Sequence, residues 1–273
     1  MAYAFPGEGA LDYFPCNYGR SRLLFRGPRR SLERPYIAFL GGTETYGKYV
    51  PDPFPDLIEE EVGFSAVNLG CINAGLDVYL NEPAVLDIAR GAEAVVLQVM
   101  GAVNLTNRFY SVHPRRNDRF IGATPALKAL YRDVDFTEFN FTKHMLTTLE
   151  ATSKERFEVV SAELQLAWTA RMGELLAQLA DRTVLLWMAD APPERPRAVV
   201  QDPILVNAAM VAAVRPAARA YVEAVTSPES RRASLDGMAF AALESLAAAA
   251  LPGPSVHRDV ARKLIVTLED IVR

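Results

Sequence analysis

The stretch PYIAFLGGTETYGKYVPDP, Pro35 to Pro53, is the part of the sequence that most strongly indicates the fold. An apolar run ends in Gly41 and Gly42, and a polar segment containing Gly47 follows. Such a run predicts a buried strand, and the glycines predict a tight βα turn at its carboxyl end. Two functions fit this turn: a nest of backbone N–H groups that binds an anion, or a plain turn whose polar side chains cap the next helix.

The rest of the chain alternates predicted strands and helices. The third strand is apolar apart from Gln98, which is typical of parallel strands covered on both faces. The sequence therefore predicts an α/β fold, a three-layer α/β/α sandwich with a doubly wound, mostly parallel sheet of the flavodoxin-like type, in which the first strand is central and the second and third flank it. Strands are predicted at 36–41, 64–70, 94–101, 183–190 and 219–226, and helices at 54–63, 82–92, 159–181, 203–218, 238–251 and 257–273.

The length of the chain bounds its domain organisation. It has 273 residues and is 50% hydrophobic, which supports a sizeable core near the upper limit of one domain. No repeat or linker divides it, so we predict a single domain over 1–273, with 1–34 as an N-terminal extension. A long connection is predicted at 102–155 and a loop at 191–197.

Charge and cysteine content exclude several function classes. The net charge of −4 argues against a global attraction to nucleic acid or anionic lipid. No apolar run approaches the roughly 20 residues of a membrane span, and the first residues, MAYAFPGEGALDYF, lack a signal-peptide pattern. Cys16 and Cys71 make no disulfide or metal framework, so a reducing, cytoplasmic setting is expected.

Four blocks of the sequence resemble those of the SGNH/GDSL hydrolase superfamily and occur in the same order. FLGGTETYG (39–47) is similar to F-x-G-D-S-x-T-x-G, and AVNLGCINAG (66–75) is similar to N-x-G-x-S-G. VVLQVMGAVN (95–104) resembles a strand followed by G-x-N-D, and PGPSVH (252–257) resembles D-x-x-H. The resemblance implies an SGNH-like fold and a site at the carboxyl end of the first strand.

The resemblance implies an esterase or acyltransferase that acts on a small or saccharide-linked acyl substrate. Thr43 would be the nucleophile and His257 the base, since a hydroxyl needs a base within hydrogen-bond reach. The backbone N–H groups of Thr43 and Gly70, with the Asn104 amide, would stabilise the oxyanion. No metal or cofactor is implied, although a coenzyme A thioester could serve as the acyl donor.

Three departures from the family fall on catalytic positions. Gly42 stands where the family has Asp, Thr43 where it has Ser, and Pro254 where it has the orienting Asp. These departures favour an alternative function, a non-catalytic SGNH-like protein that binds an anionic ligand or a polysaccharide.

The choice of base and of its orienting group stays open at this stage. His113 falls in a predicted loop, where it could contact substrate, and His144 falls in a predicted helix, where a histidine packs or faces solvent. With Pro254 in place of the acid, a backbone carbonyl or a carboxylate such as Asp236 or Asp259 would have to fix the imidazole tautomer.

Arginines concentrate at 19–34 and 108–119 in a chain that is acidic overall. Guanidinium groups bind carboxylate, sulfate and phosphate through paired hydrogen bonds, so both segments could serve an anionic substrate. The alternative is a solvated loop whose arginines pair with Asp118 and nearby acids. The residues predicted to bind substrate are Gly41, Gly42, Thr45, Asn107, Arg108, His113, Arg115, Arg116 and Arg119.

Overall fold

The structure, a computed structural model, describes residues 9–195, 199, 201–233 and 235–272. The predicted loop at 191–197 and both chain ends fall partly outside these residues. The strands are β1 (Tyr36–Leu40), β2 (Ser65–Asn68), β3 (Ala94–Gln98), β4 (Tyr110–His113), β5 (Arg116–Ala123), β6 (Thr183–Ala189) and β7 (Ala220–Val225). The helices are α1 (Thr43–Tyr46), α2 (Phe54–Val62), α3 (Leu76–Leu80), α4 (Pro83–Arg90), α5 (Pro125–Leu130), α6 (Thr142–Thr152), α7 (Lys154–Leu179), α8 (Ala208–Val214), α9 (Pro228–Arg232), α10 (Ser245–Ala249) and α11 (Pro254–Val272).

The main sheet has five parallel strands in the order β2-β1-β3-β6-β7. Ile37 of β1 pairs with Ala66 of β2 on one side and with Ala94 of β3 on the other. This is the flavodoxin-like order, so the predicted fold class and the central position of the first strand are confirmed. The strand order reverses between β1 and β3, and the carboxyl ends of these strands form the switch point where open α/β sheets bind ligands.

Helices cover both faces of the sheet because successive residues of a strand point to opposite faces. Ile37 and Phe39 share one apolar cluster with Leu264 of α11 and with residues of α2. Ala38 and Leu40 belong to the cluster on the other face, which includes residues of α3, α4, α7 and α8. β1 is therefore buried along its whole length. None of the described helices is long and apolar enough to cross a bilayer.

Two of the predicted helices are shorter than expected. The helix predicted at 203–218 is reduced to α8 and the 3-10 turn that follows it, because the Asn207 side chain caps the helix at that point. The helix predicted at 238–251 contains only α10 and a preceding 3-10 turn. Leu243 and Leu246 are 100% and 88% exposed, so no buried apolar face reinforces the helix propensity of the alanines there.

The connection predicted at 102–155 contains an antiparallel hairpin, β4 and β5, followed by α5 and α6. His113 thus ends a strand instead of lying in a loop. Asn117 of β5 is buried, and its Oδ1 accepts hydrogen bonds from the N–H groups of Gly75 (3.1 Å) and Val78 (2.9 Å). This side chain holds the hairpin to the start of α3, beside the switch point.

The N-terminal extension packs on the loop that follows α1. Arg26 is buried, and its guanidinium donates to the carbonyl oxygens of Gly47, at 2.7 Å, and Pro51. The ring of Tyr13 lies against the same guanidinium. The N-terminal extension therefore holds the backbone at the end of the glycine-rich turn that follows β1.

Candidate functional site

A two-part cleft opens at the carboxyl ends of β1, β3 and β6. We call its parts the inner cavity, of about 300 Å³, and the outer cavity, of about 630 Å³. Both are lined by Thr43, Glu44, Asn73, Lys143 and Asp202, so the two cavities share a wall. The cleft therefore lies at the topological switch point and is lined by carboxyl, amide, hydroxyl and ammonium groups.

Gln98, the last residue of β3, connects the first βα turn to the cleft. It is 4% exposed. Its Oε1 accepts from the Gly42 N–H (3.0 Å) and the Thr45 hydroxyl (2.6 Å), and its Nε2 donates to Glu44 Oε2 (2.9 Å). A Cβ at Gly41 would lie 2.1 Å from Thr45 Oγ1 and 2.5 Å from Gln98 Oε1, so only glycine leaves room for this arrangement. The βα turn after β1 therefore positions Gln98, and Gln98 in turn holds the Glu44 carboxyl by a hydrogen bond.

The carboxyls of Glu44 and Asp202 interact electrostatically at the wall between the two cavities. Burial raises the pKa of Glu44 above its ordinary value, and the negative charge of Asp202 raises it further. The hydrogen bond from Gln98 opposes the shift because it stabilises the charged form. Glu44 therefore keeps its proton to a higher pH than an isolated glutamate does.

Thr43, the predicted nucleophile, lines the cleft, but its hydroxyl is bonded to Asn73. The Thr43 Oγ1 accepts from the Asn73 N–H (2.9 Å) and donates to Asn73 Oδ1 (3.3 Å). Asn73 has a φ of 56°, a left-handed conformation that asparagine tolerates better than most residues. Its Nδ2 donates to Asp118 (3.2 Å), and its carbonyl accepts from Asn104 Nδ2 (3.0 Å). Asn104 Oδ1 in turn accepts from the Thr142 hydroxyl (2.6 Å), so the predicted oxyanion amide is also engaged.

His257, the predicted base, is 1% exposed on α11 and faces the start of α2. Its Nδ1 accepts from the Phe54 N–H (3.1 Å), its ring stacks on the Phe54 ring, and the imidazole donates to the Pro252 carbonyl. Burial lowers the pKa of His257 to about 3, and the charge of Arg26 adds to this effect. The imidazole does not line either cavity, so the structure does not bring it to the Thr43 hydroxyl.

The other histidines of the described chain also lie outside the cleft lining. His113 is at the hairpin turn, where its Nδ1 accepts from the Arg115 N–H (3.2 Å), and His144 is on α6, edge-on to an aromatic ring. Asp236 is exposed, and Asp259 accepts from a serine hydroxyl on α9. Of the groups considered for orienting His257, it is a backbone carbonyl that bonds to the ring.

Of the backbone N–H groups predicted to bind an anion or an oxyanion, those of Gly41, Gly42 and Gly70 are bonded within the protein. The Gly41 N–H donates to the Tyr79 hydroxyl (2.9 Å), and the Gly42 N–H donates to the glutamine described above. The Gly70 N–H donates to Asn68 Oδ1 (2.9 Å). The hydrogen bonding therefore does not support an anion nest at Gly41 and Gly42 or an oxyanion role for Gly70.

The predicted arginine site is not part of the cleft wall. Arg115, Arg116 and Arg119 are exposed on the hairpin and line neither cavity. Arg119 lies over the ring of Phe141, which does contribute to the inner cavity. Arg108 lies over an aromatic ring at the base of the hairpin. Arg231, which was not among the predicted residues, lines the outer cavity, so the predicted arginines give the expectation of an anionic ligand no support.

Two further residues predicted to bind substrate have structural roles. Thr45 is 1% exposed and donates to Gln98, so it lies beneath the cleft surface. Asn107 shapes the start of the hairpin, because its Oδ1 accepts from the N–H groups of Phe109 (2.8 Å) and Tyr110 (3.2 Å).

The polar residues of the inner cavity that sequence reasoning did not select as site residues include Glu44, Asn73, Gln98, Lys143 and Asp202. Gln98 carried a signal, because it is the one polar residue of an otherwise apolar strand. Glu44 lies between two selected threonines, whereas Lys143 and Asp202 carry no local pattern. Within the described residues, no three His, Cys, Asp or Glu side chains group as a metal site would require.

Residues 1–272 match the family described as Domain of unknown function (DUF6473), and the chain belongs to that family. A comparison with curated proteins gives no match. Among solved structures, a Corynascus thermopiles (Myceliophthora fergusii) carbohydrate esterase family 2 enzyme with a carbohydrate-binding domain is similar at 11% identity, with a TM-score of 0.46 over 90% of this chain and 69% of that chain. A Lactobacillus plantarum protein is similar at 13% identity, with a TM-score of 0.40 over 87% of this chain and 97% of that chain.

Proposed function

We propose that the chain hydrolyses or transfers an acyl ester on a saccharide bound in the cleft. The observation that carries this proposal is the convergence of Thr43, Asn73 and Asn104 on one cavity. These residues come from three of the four blocks that resemble SGNH/GDSL hydrolases, and the cavity lies at the switch point where such sheets bind ligands. The convergence supports ester chemistry without requiring that each residue keep the role it has in the family.

The lining of the inner cavity supports a neutral, hydroxylated ligand. Glu44, Asp118 and Asp202 contribute carboxyls to the inner cavity, against the single ammonium of Lys143. Carboxyl and amide groups exchange hydrogen bonds with hydroxyls, whereas an excess of carboxylates repels an anion. Phe141 is 45% exposed at the same cavity and offers an apolar face to a sugar ring.

A substrate screen tests the proposed function. Acetyl and longer acyl esters of monosaccharides and oligosaccharides are compared with simple aryl esters, and coenzyme A thioesters are added with acceptor saccharides. We expect turnover of the saccharide esters to exceed turnover of the aryl esters, because the cleft offers the sugar hydrogen-bond partners. The absence of turnover on every ester and thioester would reject the proposal.

The same screen includes variants of the pair predicted from sequence. If Thr43 is the nucleophile and His257 its base, Thr43→Ser retains turnover, while Thr43→Ala and His257→Ala each lose it by orders of magnitude. Full turnover by Thr43→Ala would show that Thr43 is not the nucleophile and that its hydroxyl only holds Asn73 in place.

The second candidate function is saccharide binding without chemistry. It is favoured by the hydrogen bonding of the Thr43 hydroxyl, which is used by Asn73, and by the position of His257 outside the cleft lining. A saccharide that raises the melting temperature, without turnover of any of its esters, would support this candidate. Turnover of one of those esters would exclude it.

A further inference from the structure

We infer that Glu44 and Asp202 form the proton-transfer pair of this cleft, acting on a water molecule and on the leaving alcohol of the bound ester. The inference rests on the proposed ester chemistry. It assigns the acid and base roles to side chains other than His257, and it makes water the attacking group instead of the Thr43 hydroxyl.

The position of the pair is the first argument. Glu44 is in the first turn after β1, and Asp202 is in the loop between β6 and α8, so they reach the cleft from two different strand ends. Both line the inner cavity and the outer cavity, and therefore stand at the boundary between them. A sugar in one cavity and an acyl group in the other would place the ester bond between these two carboxyls.

The fixed orientation of Glu44 is the second argument. Gln98 is buried, and two donors, the Gly42 N–H and the Thr45 hydroxyl, hold its Oε1. Its Nε2 is thereby directed to Glu44 Oε2 at 2.9 Å. The Glu44 carboxyl also receives a hydrogen bond from its own backbone N–H, so the carboxyl is fixed in the cleft wall, as a positioned general acid requires.

Differing protonation of the two carboxyls is the third argument. Burial and the neighbouring charge of Asp202 raise the pKa of Glu44, so Glu44 keeps its proton to a higher pH than a separate glutamate would. The protonated member supplies an acid and the ionised member supplies a base in the same site.

The reaction balances with these groups alone. The Asp202 carboxylate takes a proton from water as the water oxygen bonds to the ester carbonyl carbon. The tetrahedral intermediate then breaks its bond to the alcohol oxygen, which receives the Glu44 proton. The products are the free acid and the alcohol, and the proton now on Asp202 returns to Glu44 to restore the pair.

Other charged groups of the cleft also affect the pH dependence of activity. Asp118 on β5 and Lys143 on α6 line the inner cavity with the pair. Lys48 after α1, Asp190 after β6 and Arg231 on α9 line the outer cavity. These groups come from several elements around the pair, so the pH profile must be compared between variants instead of being read from the wild type alone.

The test measures kcat and KM against pH for the saccharide ester found in the screen. We expect Glu44→Gln and Asp202→Asn each to lower kcat about 100- to 10,000-fold, the usual contribution of general acid–base catalysis. Wild-type kcat/KM should be bell-shaped in pH, Glu44→Gln should lose the alkaline limb, and Asp202→Asn should lose the acid limb. Thr43→Ala should lose less kcat than either carboxyl variant.

The matched control is Glu61→Gln, an identical change at an exposed position on α2, which should match the wild type. Melting curves of all variants separate loss of chemistry from loss of fold. The bell shape of the wild-type pH profile can be tested even if a variant fails to fold. The inference is overturned if Glu44→Gln and Asp202→Asn keep kcat within about threefold while the wild type is active. An inactive wild type across the whole screen overturns the proposed function and the inference together.

Discussion

Thr43 and His257 demonstrate that hydrogen-bond partners determine what a side chain can do. A threonine hydroxyl that accepts from and donates to Asn73 has no base at hand, and an imidazole bonded to Phe54 and Pro252 has no nitrogen left for a substrate. A threonine and a histidine could act as nucleophile and base only if the hydroxyl were hydrogen-bonded to the imidazole instead of to these other partners.

His257 gives a prediction about stability against pH. The pKa of His257 is lowered from 6.5 to about 3 in the folded chain. Between these values the unfolded chain binds a proton that the folded chain does not, so the free energy of unfolding should fall as the pH drops through this window. The His257 contribution should reach on the order of 4 kcal/mol near pH 3.

His257→Gln is the variant that tests this prediction by urea denaturation. It should flatten the acid side of the stability curve, because glutamine offers the Phe54 N–H an acceptor and does not titrate. The same change at the exposed His144 should leave the slope unaltered. Equal acid slopes for wild type and His257→Gln would contradict the buried, neutral state of this imidazole.

Asp56 of α2 contributes in the opposite sense at moderately acidic pH. Burial raises the pKa of Asp56 from 3.8 to about 6, although the nearby charge of Arg26 lowers it. Below about pH 6 the folded chain therefore takes up this proton before the unfolded chain does, which favours the folded state as the pH falls. The difference between wild type and His257→Gln isolates the histidine from this effect.

At the scale of elements, the cleft depends on close backbone contacts between the segments that follow the strands. Gly75 precedes α3, and its N–H donates to Asn117 of the hairpin. A Cβ at Gly75 would lie 1.6 Å from the carbonyl oxygen of Asn104, on the loop after β3. The second block, the third strand and the hairpin thus meet at one glycine.

Gly75→Ala should therefore lower the free energy of unfolding by more than about 3 kcal/mol, because backbone must move to admit the methyl group. Gly122→Ala, in β5, is the matched control, since a Cβ there meets nothing within 4 Å, and it should change stability by less than about 0.5 kcal/mol. Chemical denaturation of both variants provides the comparison. A Gly75→Ala protein as stable as Gly122→Ala would show that this contact relaxes at little cost.

At the scale of the whole molecule, an acidic inner cavity and an arginine-bearing hairpin lie at separate places. Glu44, Asp118 and Asp202 line the inner cavity, while Arg115 and Arg116 are exposed at the hairpin turn. A ligand in the inner cavity and an anion on the hairpin would therefore bind at different places. Binding at each place can be measured separately on the same protein.

We expect a bound neutral oligosaccharide to raise the melting temperature by a few degrees, because a native-state ligand stabilises by mass action. Sulfate should raise it no more than chloride at the same ionic strength. The double variant Arg115→Ala and Arg116→Ala should behave like the wild type, as should the control Arg132→Ala, a change at an exposed position just after α5. A sulfate-dependent rise that disappears only in the double variant would instead support the arginine site predicted from sequence.

The sequence by itself determined the fold class and the edge of the sheet where the cleft lies. Apolar runs and glycine turns are local patterns, and they specify buried parallel strands and their carboxyl ends without knowledge of distant contacts. The same locality identified Thr43 and Asn104 as cleft residues. It failed for the hairpin, where β5, RNDRFIGA, begins with four polar residues and carries no long apolar run.

Only the tertiary structure decided which polar groups work together. Asp202 and Lys143 are remote in sequence from Glu44, and packing of the loop after β6 and of α6 brings them to one cavity. The partners of His257 and the raised pKa of Glu44 depend on burial and on charges from other elements. Hydrogen bonding and desolvation act over a few ångströms in space, regardless of separation along the chain, so no local pattern could have revealed them.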